Sequence, residues 1–378
     1  MKAVISIDSL KGSMTSMEAG RAIKEGILNV MPDAEVIVKP LADGGEGTTE
    51  ALVEGLGGEM VYADVHGPLE DNVSAGYGII KETNTAIMEM AAASGIIIVG
   101  KDLRPLDATT YGVGQMIKDA IEKGCREFII GIGGSATNDG GLGMLTALGF
   151  EFLDAEGKAV GIAAGSLKDI ADVKTDKVLP ELKECHFRIA CDVTNPLCGP
   201  TGATYIYGPQ KGVTDDMRDD LDAAMAAYAE VTKRCLGTDF AEAAGAGAAG
   251  GLGFAFMSYL AADLQPGIDL VLDAVEMDKA MEGADLVFTG EGRLDSQTAN
   301  GKAPIGIAKL GKKHGAKVIA LAGAIKDDAR GCNENGIDAF FPILRKVCTL
   351  DEAMDGANAK ENMTKTTEQI MRLIAAVM

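Results

Sequence analysis

Five stretches of the chain gather small and polar residues with a carboxylate at close spacing. They are Asp8-Ser9-Leu10-Lys11-Gly12-Ser13, then Pro40-Leu41-Ala42-Asp43-Gly44-Gly45-Glu46-Gly47-Thr48, then Gly133-Gly134-Ser135-Ala136-Thr137-Asn138-Asp139-Gly140-Gly141. The fourth is Asp192-Val193-Thr194-Asn195-Pro196-Leu197, and the fifth is Gly290-Glu291-Gly292-Arg293-Leu294-Asp295, followed by Asn300-Gly301-Lys302. Glycines let backbone N–H groups crowd an anion, and a helix N-terminus adds the positive end of its dipole. Lys11, Arg293 and Lys302 can neutralise a phosphate or a carboxylate. The carboxylates Asp8, Asp43, Asp139, Asp192, Glu291 and Asp295 exceed what charge pairing needs. Some suit Mg²⁺, directly or through water, and one suits a general base. Phosphoryl transfer asks for this mixture of anion cradle, cations, metal carboxylates and base. The competing explanation is that strand-to-helix turns favour Gly, Asp, Ser and Asn as caps in any case. Five such turns together, with Lys and Arg among them, are harder to assign to capping alone.

Other chemistries find less support. His66, His186 and His314 are the only histidines, and neither CxxC nor HExxH occurs, which argues against zinc and against a Ser-His-Asp triad. Gly245-Ala246-Gly247-Ala248-Ala249-Gly250 matches GxGxxG but follows a helical stretch rather than a strand. Gly131-Ile132-Gly133-Gly134-Ser135-Ala136 matches the GxGxxA form and follows a strand, yet Asp139 then stands where it would repel a pyrophosphate. An NAD-dependent hydroxy-acid dehydrogenase built on that match is the second hypothesis. A non-catalytic sugar-acid or nucleotide sensor is the third.

The elements that must position these stretches alternate. Residues 2–8, 35–40 and 60–65 read as strands, with helices at 15–30 and 45–56 between them, a βαβαβ order that calls for a parallel sheet. The rhythm returns with strands at 285–289, 317–321 and 339–343, a helix at 303–314 and a terminal helix at 360–377. Between these, 73–81 and 86–90 read as consecutive antiparallel strands, 127–132 and 187–192 as further strands, and 109–123, 137–148 and 215–235 as helices. The predicted fold class is therefore α/β. A doubly wound, Rossmann-like parallel-sheet domain is built from both chain ends (1–66 and 284–378), and a second α/β domain is inserted at 67–283. Ligands in open α/β sheets bind beyond the carboxyl ends of strands, where all five stretches fall, so the active site is expected in the cleft between the domains.

Composition sets outer bounds. With 35 Lys and Arg against 56 Asp and Glu the net charge is −21, which disfavours nucleic acid or an anionic membrane as partner. Hydrophobic residues at 47% supply ample core. Glycine is abundant, 49 of 378 residues, against an ordinary share of roughly 7%. Seven irregularly spaced cysteines fit a reduced, cytoplasmic protein better than a disulfide scaffold. The opening Met1-Lys2-Ala3-Val4-Ile5-Ser6-Ile7-Asp8 reaches a charge too soon for a signal peptide. Residues 243–262 carry no charge, but 13 of the 20 are Gly or Ala, which predicts a loop and a buried helix rather than a membrane span.

Six ordered motifs resemble the two-domain bacterial glycerate kinases along essentially the whole chain. They are Asp8–Ser13, PLADGGEGT at 40–48, GIGGSATNDGG at 131–141, ACDVTNPLCG at 190–199, AAGGLG at 248–253 and TGEGRLD at 289–295. Leu10 departs from the aromatic residue that many relatives carry there. The resemblance implies ATP- and Mg²⁺-dependent phosphorylation of D-glycerate, with the 2-hydroxyl favoured and the 3-hydroxyl as the alternative. It also implies small-molecule partners only, with a monomer or homodimer as the assembly. Under it Asp192 is the first choice for general base, Asp8 is the alternative base or a metal ligand, and Lys11 meets substrate carboxylate or γ-phosphate. Ser9, Gly44, Gly45, Gly47, Ser135, Thr137, Asn138, Asn195, Arg293 and Lys302 are assigned to substrate or phosphate. Asp43, Glu46, Asp139, Glu291 and Asp295 are assigned to metal. Each has a plainer role to beat: turn or cap for the Asp, Ser and Thr residues, a surface ion pair for Arg293, and a solvated side chain for Lys11 and Lys302.

Overall fold

A computed structural model describes residues 1–377. The chain forms two compact units. The first comprises Met1–Asp43, Glu54–Leu56 and the chain from Val271 onwards, and the second comprises Gly44–Val53 and Gly57–Leu270.

The first unit holds a five-stranded, all-parallel sheet in the order Ala339–Pro342, Lys317–Ile325, Leu286–Leu294, Lys2–Ile5, Glu35–Val38. Its strands carry apolar runs covered on their faces by helices, as buried parallel strands must be. Ile5, Ile7, Phe288 and Leu321 meet Ile23 and Ile27 of the helix Ser16–Leu28 and Met363 and Met371 of the helix Gly356–Val377. Burying one such side chain contributes about 1.5–3 kcal/mol. The helix Ser16–Leu28 starts where Thr15 and Glu18 complete a capping box.

The second unit holds a six-stranded sheet in the order Asp263–Gln265, His186–Ala190, Glu127–Gly131, Thr85–Glu89, Asn72–Ile80, Glu59–His66. The first four strands run parallel and the last two antiparallel. Phe128 and Phe187 stack at 4.8 Å between ring centres within its core. Two expectations change here. The strand at 60–65 does not extend the parallel sheet of the first unit, because Glu59–His66 pairs antiparallel with Asn72–Ile80. The helix expected at 137–148 shrinks to Leu142–Ala147, with left-handed Gly140 and Gly141 before it. The uncharged stretch at 243–262 is a turn followed by the helix Ala248–Leu260. No helix among the described residues is long and apolar enough to cross a membrane. All seven cysteines are free thiols.

Candidate active site

In the first unit the strand Lys2–Ile5 leads into Asp8, whose N–H bonds the carbonyl of Gly290 on the neighbouring strand at 2.9 Å. The Ser9 N–H donates to Asp8 Oδ1 at 2.7 Å. Burial pushes the Asp8 carboxyl from 3.8 up to about 6; the Ser9 bond opposes this, the charges of Asp43 and Glu291 add to it, and Lys11 opposes it. Asp43, Glu291 and Lys11 are thus each near enough to act on Asp8. Lys11 and Asp43 are exposed at the surface of this group.

The strand Leu286–Leu294 runs five residues past the predicted end, so Glu291 and Arg293 lie within it rather than on a loop beyond it. Gly290 makes that possible. It adopts φ +148°, and a Cβ there would sit 1.8 Å from the carbonyl oxygen of Leu321. Glu291 accepts a 2.5 Å bond from the Thr298 hydroxyl and stands 3.7 Å from Lys302 Nζ. Burial raises its pKa despite these two partners. Asp295 caps the short helix Ser296–Ala299, accepting from the Gln297 and Thr298 N–H groups at 3.0 and 3.4 Å. Its second oxygen accepts from Arg293 Nε at 3.1 Å and lies 3.8 Å from Lys326 Nζ. Burial pushes this carboxyl up, but the N–H bonds and the Arg293 and Lys326 charges outweigh it and hold it below the ordinary value.

In the second unit, the residues 44–47 turn into the helix Thr48–Leu56. Gly44 has φ +86°, and a Cβ on it would lie 2.8 Å from Gly267 Cα and 2.9 Å from Ala190 Cβ. Gly47, at φ +88°, caps the helix, and Gly45 O accepts from the Thr48 hydroxyl at 2.7 Å. Glu46 is exposed. The N-terminus of this helix already meets an anion: Glu89, at the end of Thr85–Glu89, accepts from the Thr49 N–H at 3.0 Å. A phosphate docked there would face that carboxylate.

The GGSATNDGG stretch leaves the strand Glu127–Gly131 and stays irregular to Gly141. Asp139 is fully buried. Its Oδ2 accepts from the Thr110 N–H and hydroxyl, both at 2.8 Å, and from the Gly143 N–H at 3.2 Å, while Oδ1 accepts from the Gly141 N–H at 3.2 Å. Burial still raises its pKa against these bonds. Asn138 Nδ2 donates to Thr204 Oγ1 at 3.0 Å. Ser135, Thr137 and Asn138 are buried, with Thr137 Oγ1 and Asn138 Oδ1 lacking a protein partner. The Gly134 carbonyl is taken by the Ile96 N–H at 2.8 Å, and no helix opens before Leu142. The GxGxxA match therefore lacks the strand–turn–helix context of a dinucleotide fingerprint.

Asp192 follows the strand His186–Ala190, is exposed, and accepts from the Gly267 N–H at 2.9 Å. Asn195 accepts from the Tyr207 hydroxyl at 2.6 Å and donates to Thr201 O at 2.7 Å. Sequence patterns missed two charged groups, Glu89 and Lys211. Lys211, in the turn Pro209–Lys211, is 2% exposed, and its Nζ donates to Thr137 O at 2.6 Å. Burial pushes its ammonium from 10.5 down to about 7, against the pull of Asp139. Proximity of Lys211 to a Gly-rich stretch is not encoded in its local sequence, so no pattern could have singled it out.

Within the first unit, Asp8, Lys11, Asp43 and Glu291 form one group, and Arg293, Asp295 and Lys302 lie on the same strand and the turn after it. Within the second, Thr137, Asn138 and Asp139 form a second group, and Asp192 and Asn195 a third. The sequence profile of the Glycerate kinase family matches residues 3–375. Glycerate 2-kinase of Escherichia coli (strain K12) is 45% identical over 376 residues, 99% of this chain and 98% of that one. Glycerate kinase of Bacillus subtilis (strain 168) is 45% identical over 371 residues, 98% of this chain and 97% of its own. A crystal structure described as glycerate kinase 2 from Salmonella typhimurium LT2 superposes with a TM-score of 0.91 at 43% identity, over 100% of this chain and 98% of that chain. Motifs, fold and these near-complete matches agree, and the chain belongs to the glycerate kinase family.

Proposed function

We propose that this kinase transfers the γ-phosphoryl group of ATP to the 2-hydroxyl of D-glycerate, giving 2-phospho-D-glycerate and ADP. The observation that carries the chemistry is the Asp8 group. Asp8 is a half-buried carboxyl with the carboxylates of Asp43 and Glu291 and the ammonium of Lys11 near it, and Lys302 stands 3.7 Å from Glu291. That donor set suits a divalent cation. Hard oxygen ligands fit Mg²⁺, which is ordinarily held by one or two carboxylates together with substrate phosphates rather than by an all-protein cage. Among the described residues no group of three or more potential ligands forms such a cage. Asp8 and Asp43 are the residues we assign to the ion, which would supply neutralisation of phosphate charge.

The other carboxylates take different roles. Glu291 holds Thr298 and faces Lys302, Asp295 caps a helix, and Asp139 fastens its loop. These contacts favour structural roles for all three, and Glu46 is left as a surface residue. Lys11 and Arg293, both exposed, offer charge to the transferring phosphate. Asp192 takes the hydroxyl proton as the oxygen–phosphorus bond forms and the bond from the γ-phosphorus to the bridging oxygen of ADP breaks. The residue is exposed, and its Oδ1 accepts from the Gly267 N–H. The loops that carry Ser135 and Asn195 hold the glycerate, and Thr137 and Asn138, fully buried, support the first of them.

The name of the Escherichia coli relative favours the 2-position. Proton-coupled phosphorus NMR of the product formed from D-glycerate, ATP and Mg²⁺ tests the assignment. A phosphate doublet, split by the single proton on C2, is the expected result. A triplet, split by the two protons on C3, overturns the regiochemistry, and no phosphorylated product overturns the function.

A further inference from the structure

The segment from Ala203 to Lys211 touches two of the loops in the second unit. From the helix Ala203–Tyr207, the Tyr207 hydroxyl donates to Asn195 Oδ1 at 2.6 Å and the Ala203 N–H bonds Leu197 O at 3.0 Å. Both contacts land on the loop that begins at Asp192. From the same segment, Thr204 Oγ1 accepts from Asn138 Nδ2 at 3.0 Å, and Lys211 Nζ donates to Thr137 O at 2.6 Å. These two land on adjacent residues of the GGSATNDGG loop. Thr204, Thr137 and Asn138 are fully buried and Lys211 nearly so. Asn138 Oδ1 has no protein partner, so the orientation of the Asn138 amide rests on its bond to Thr204.

The turn that delivers Lys211 is closely packed. Gly212 adopts φ +97°, and a Cβ on it would lie 2.8 Å from Leu103 Cβ. The Val213 N–H closes the turn on Gly208 O at 3.0 Å. An amine taken out of water is costly to bury, and an apolar side chain of similar length would fill the same volume without that cost. A lysine in this place is therefore better explained by what it holds than by packing.

We propose that Ala203–Lys211 is a bracket that sets the Asp192–Asn195 loop against Thr137–Asn138, with Lys211 and Thr204 as positioning residues for bound glycerate. The assignment rests on the functional reading above, in which those loops hold glycerate. Neither residue touches the reacting atoms. Each acts through the backbone or amide it fixes, and small displacements of substrate-holding groups cost rate steeply.

The test uses the full chain with Lys211→Met, Lys211→Arg and Thr204→Val, each assayed for kcat, for KM toward D-glycerate and ATP, and for thermal midpoint. Lys211→Met and Thr204→Val should each raise KM for D-glycerate and lower kcat, together about 10-fold or more in kcat/KM, with KM for ATP within about twofold of wild type. Lys211→Arg keeps a donor and should retain more activity than Lys211→Met. If Lys211→Met does not fold, Thr204→Val decides the matter alone, since it swaps a hydroxyl for a methyl of similar size. Folded variants with wild-type kcat and KM and only a lowered midpoint overturn the bracket, as does a rise confined to KM for ATP. A wild-type chain that turns over no D-glycerate overturns the functional reading itself, and the bracket's role with it.

Discussion

Burial of the Asp8 carboxyl beside Asp43 and Glu291 raises its pKa from 3.8 to about 6, so the native state binds that proton more tightly than the unfolded chain. Between about pH 4 and pH 6 native stability falls as pH rises, and above pH 6 the whole penalty is present. A shift of this size corresponds to roughly 2–3 kcal/mol. Asp8→Asn should therefore stabilise the protein by up to that amount at pH 8 in the presence of a chelator, and by almost nothing at pH 4. The same variant should lose about 10²-fold in kcat if Asp8 serves the metal. Urea unfolding at the two pH values, paired with assays, checks both. An equal stability offset at pH 4 and pH 8 would remove the electrostatic explanation. Asp192→Asn should show the opposite separation, a kcat loss of about 10²-fold with little change in stability, because the residue is exposed. The sequence marks Asp8 and Asp192 because each is a carboxylate standing just past a run of strand residues. Lys211 and Glu89 are not marked. A lysine after Pro209-Gln210 looks solvated, and a glutamate ending a strand looks ordinary; only the packing of distant segments makes the first buried and the second a helix partner.

At the level of elements, most strands and helices are legible because each carries its own period, and few are shifted by more than an end. Residues 60–65 show the limit. Alternation identifies a strand, but the sheet it joins depends on which neighbour its N–H groups find, and here that is Asn72–Ile80. The 137–148 stretch shows another limit. Its small residues are compatible with a helix, yet Asp139 draws the N–H groups of Thr110, Gly141 and Gly143 to itself and holds 133–141 as a loop. Gly290 gives this level its sharpest test. An alanine there would need φ +148° and would drive its Cβ to 1.8 Å from a backbone oxygen, so the strands Leu286–Leu294 and Lys317–Ile325 would have to part. Gly292, two residues on, has nothing nearer than 3.8 Å to an added Cβ. Gly290→Ala should cost about 3 kcal/mol or more, or abolish folding, while Gly292→Ala should stay within about 1 kcal/mol. Denaturant midpoints measure both, and a tolerated Gly290→Ala would mean that the close approach of these strands is not required.

For the molecule as a whole, the charge of −21 has to coexist with the two anionic substrates proposed for it, ATP and glycerate. Most of that charge lies on exposed carboxylates, among them Asp215, Asp216, Asp219 and Asp220 on the helix Asp215–Leu236. Those residues act on an approaching nucleotide only through the long-range field, which salt screens once separations exceed a Debye length. The cations offered to phosphate act at contact, where screening is weak. The two effects have opposite signs, and their ranges decide which one salt removes. Lowering the Debye length from ~30 Å at 0.01 M to ~8 Å at 0.15 M should weaken the repulsion much more than the contacts. With Mg²⁺ held in excess at every point, kcat/KM for ATP should therefore rise as NaCl is raised over that interval, and kcat should stay nearly constant. A fall in kcat/KM over the same interval would mean that the local field of Lys11, Arg293 and Lys302 reaches beyond the site and outweighs the net charge. Assays on Lys11→Gln would then separate the two cases, since removing a cation that dominates the approach should flatten the salt dependence, whereas removing one that acts only at contact should leave its slope unchanged.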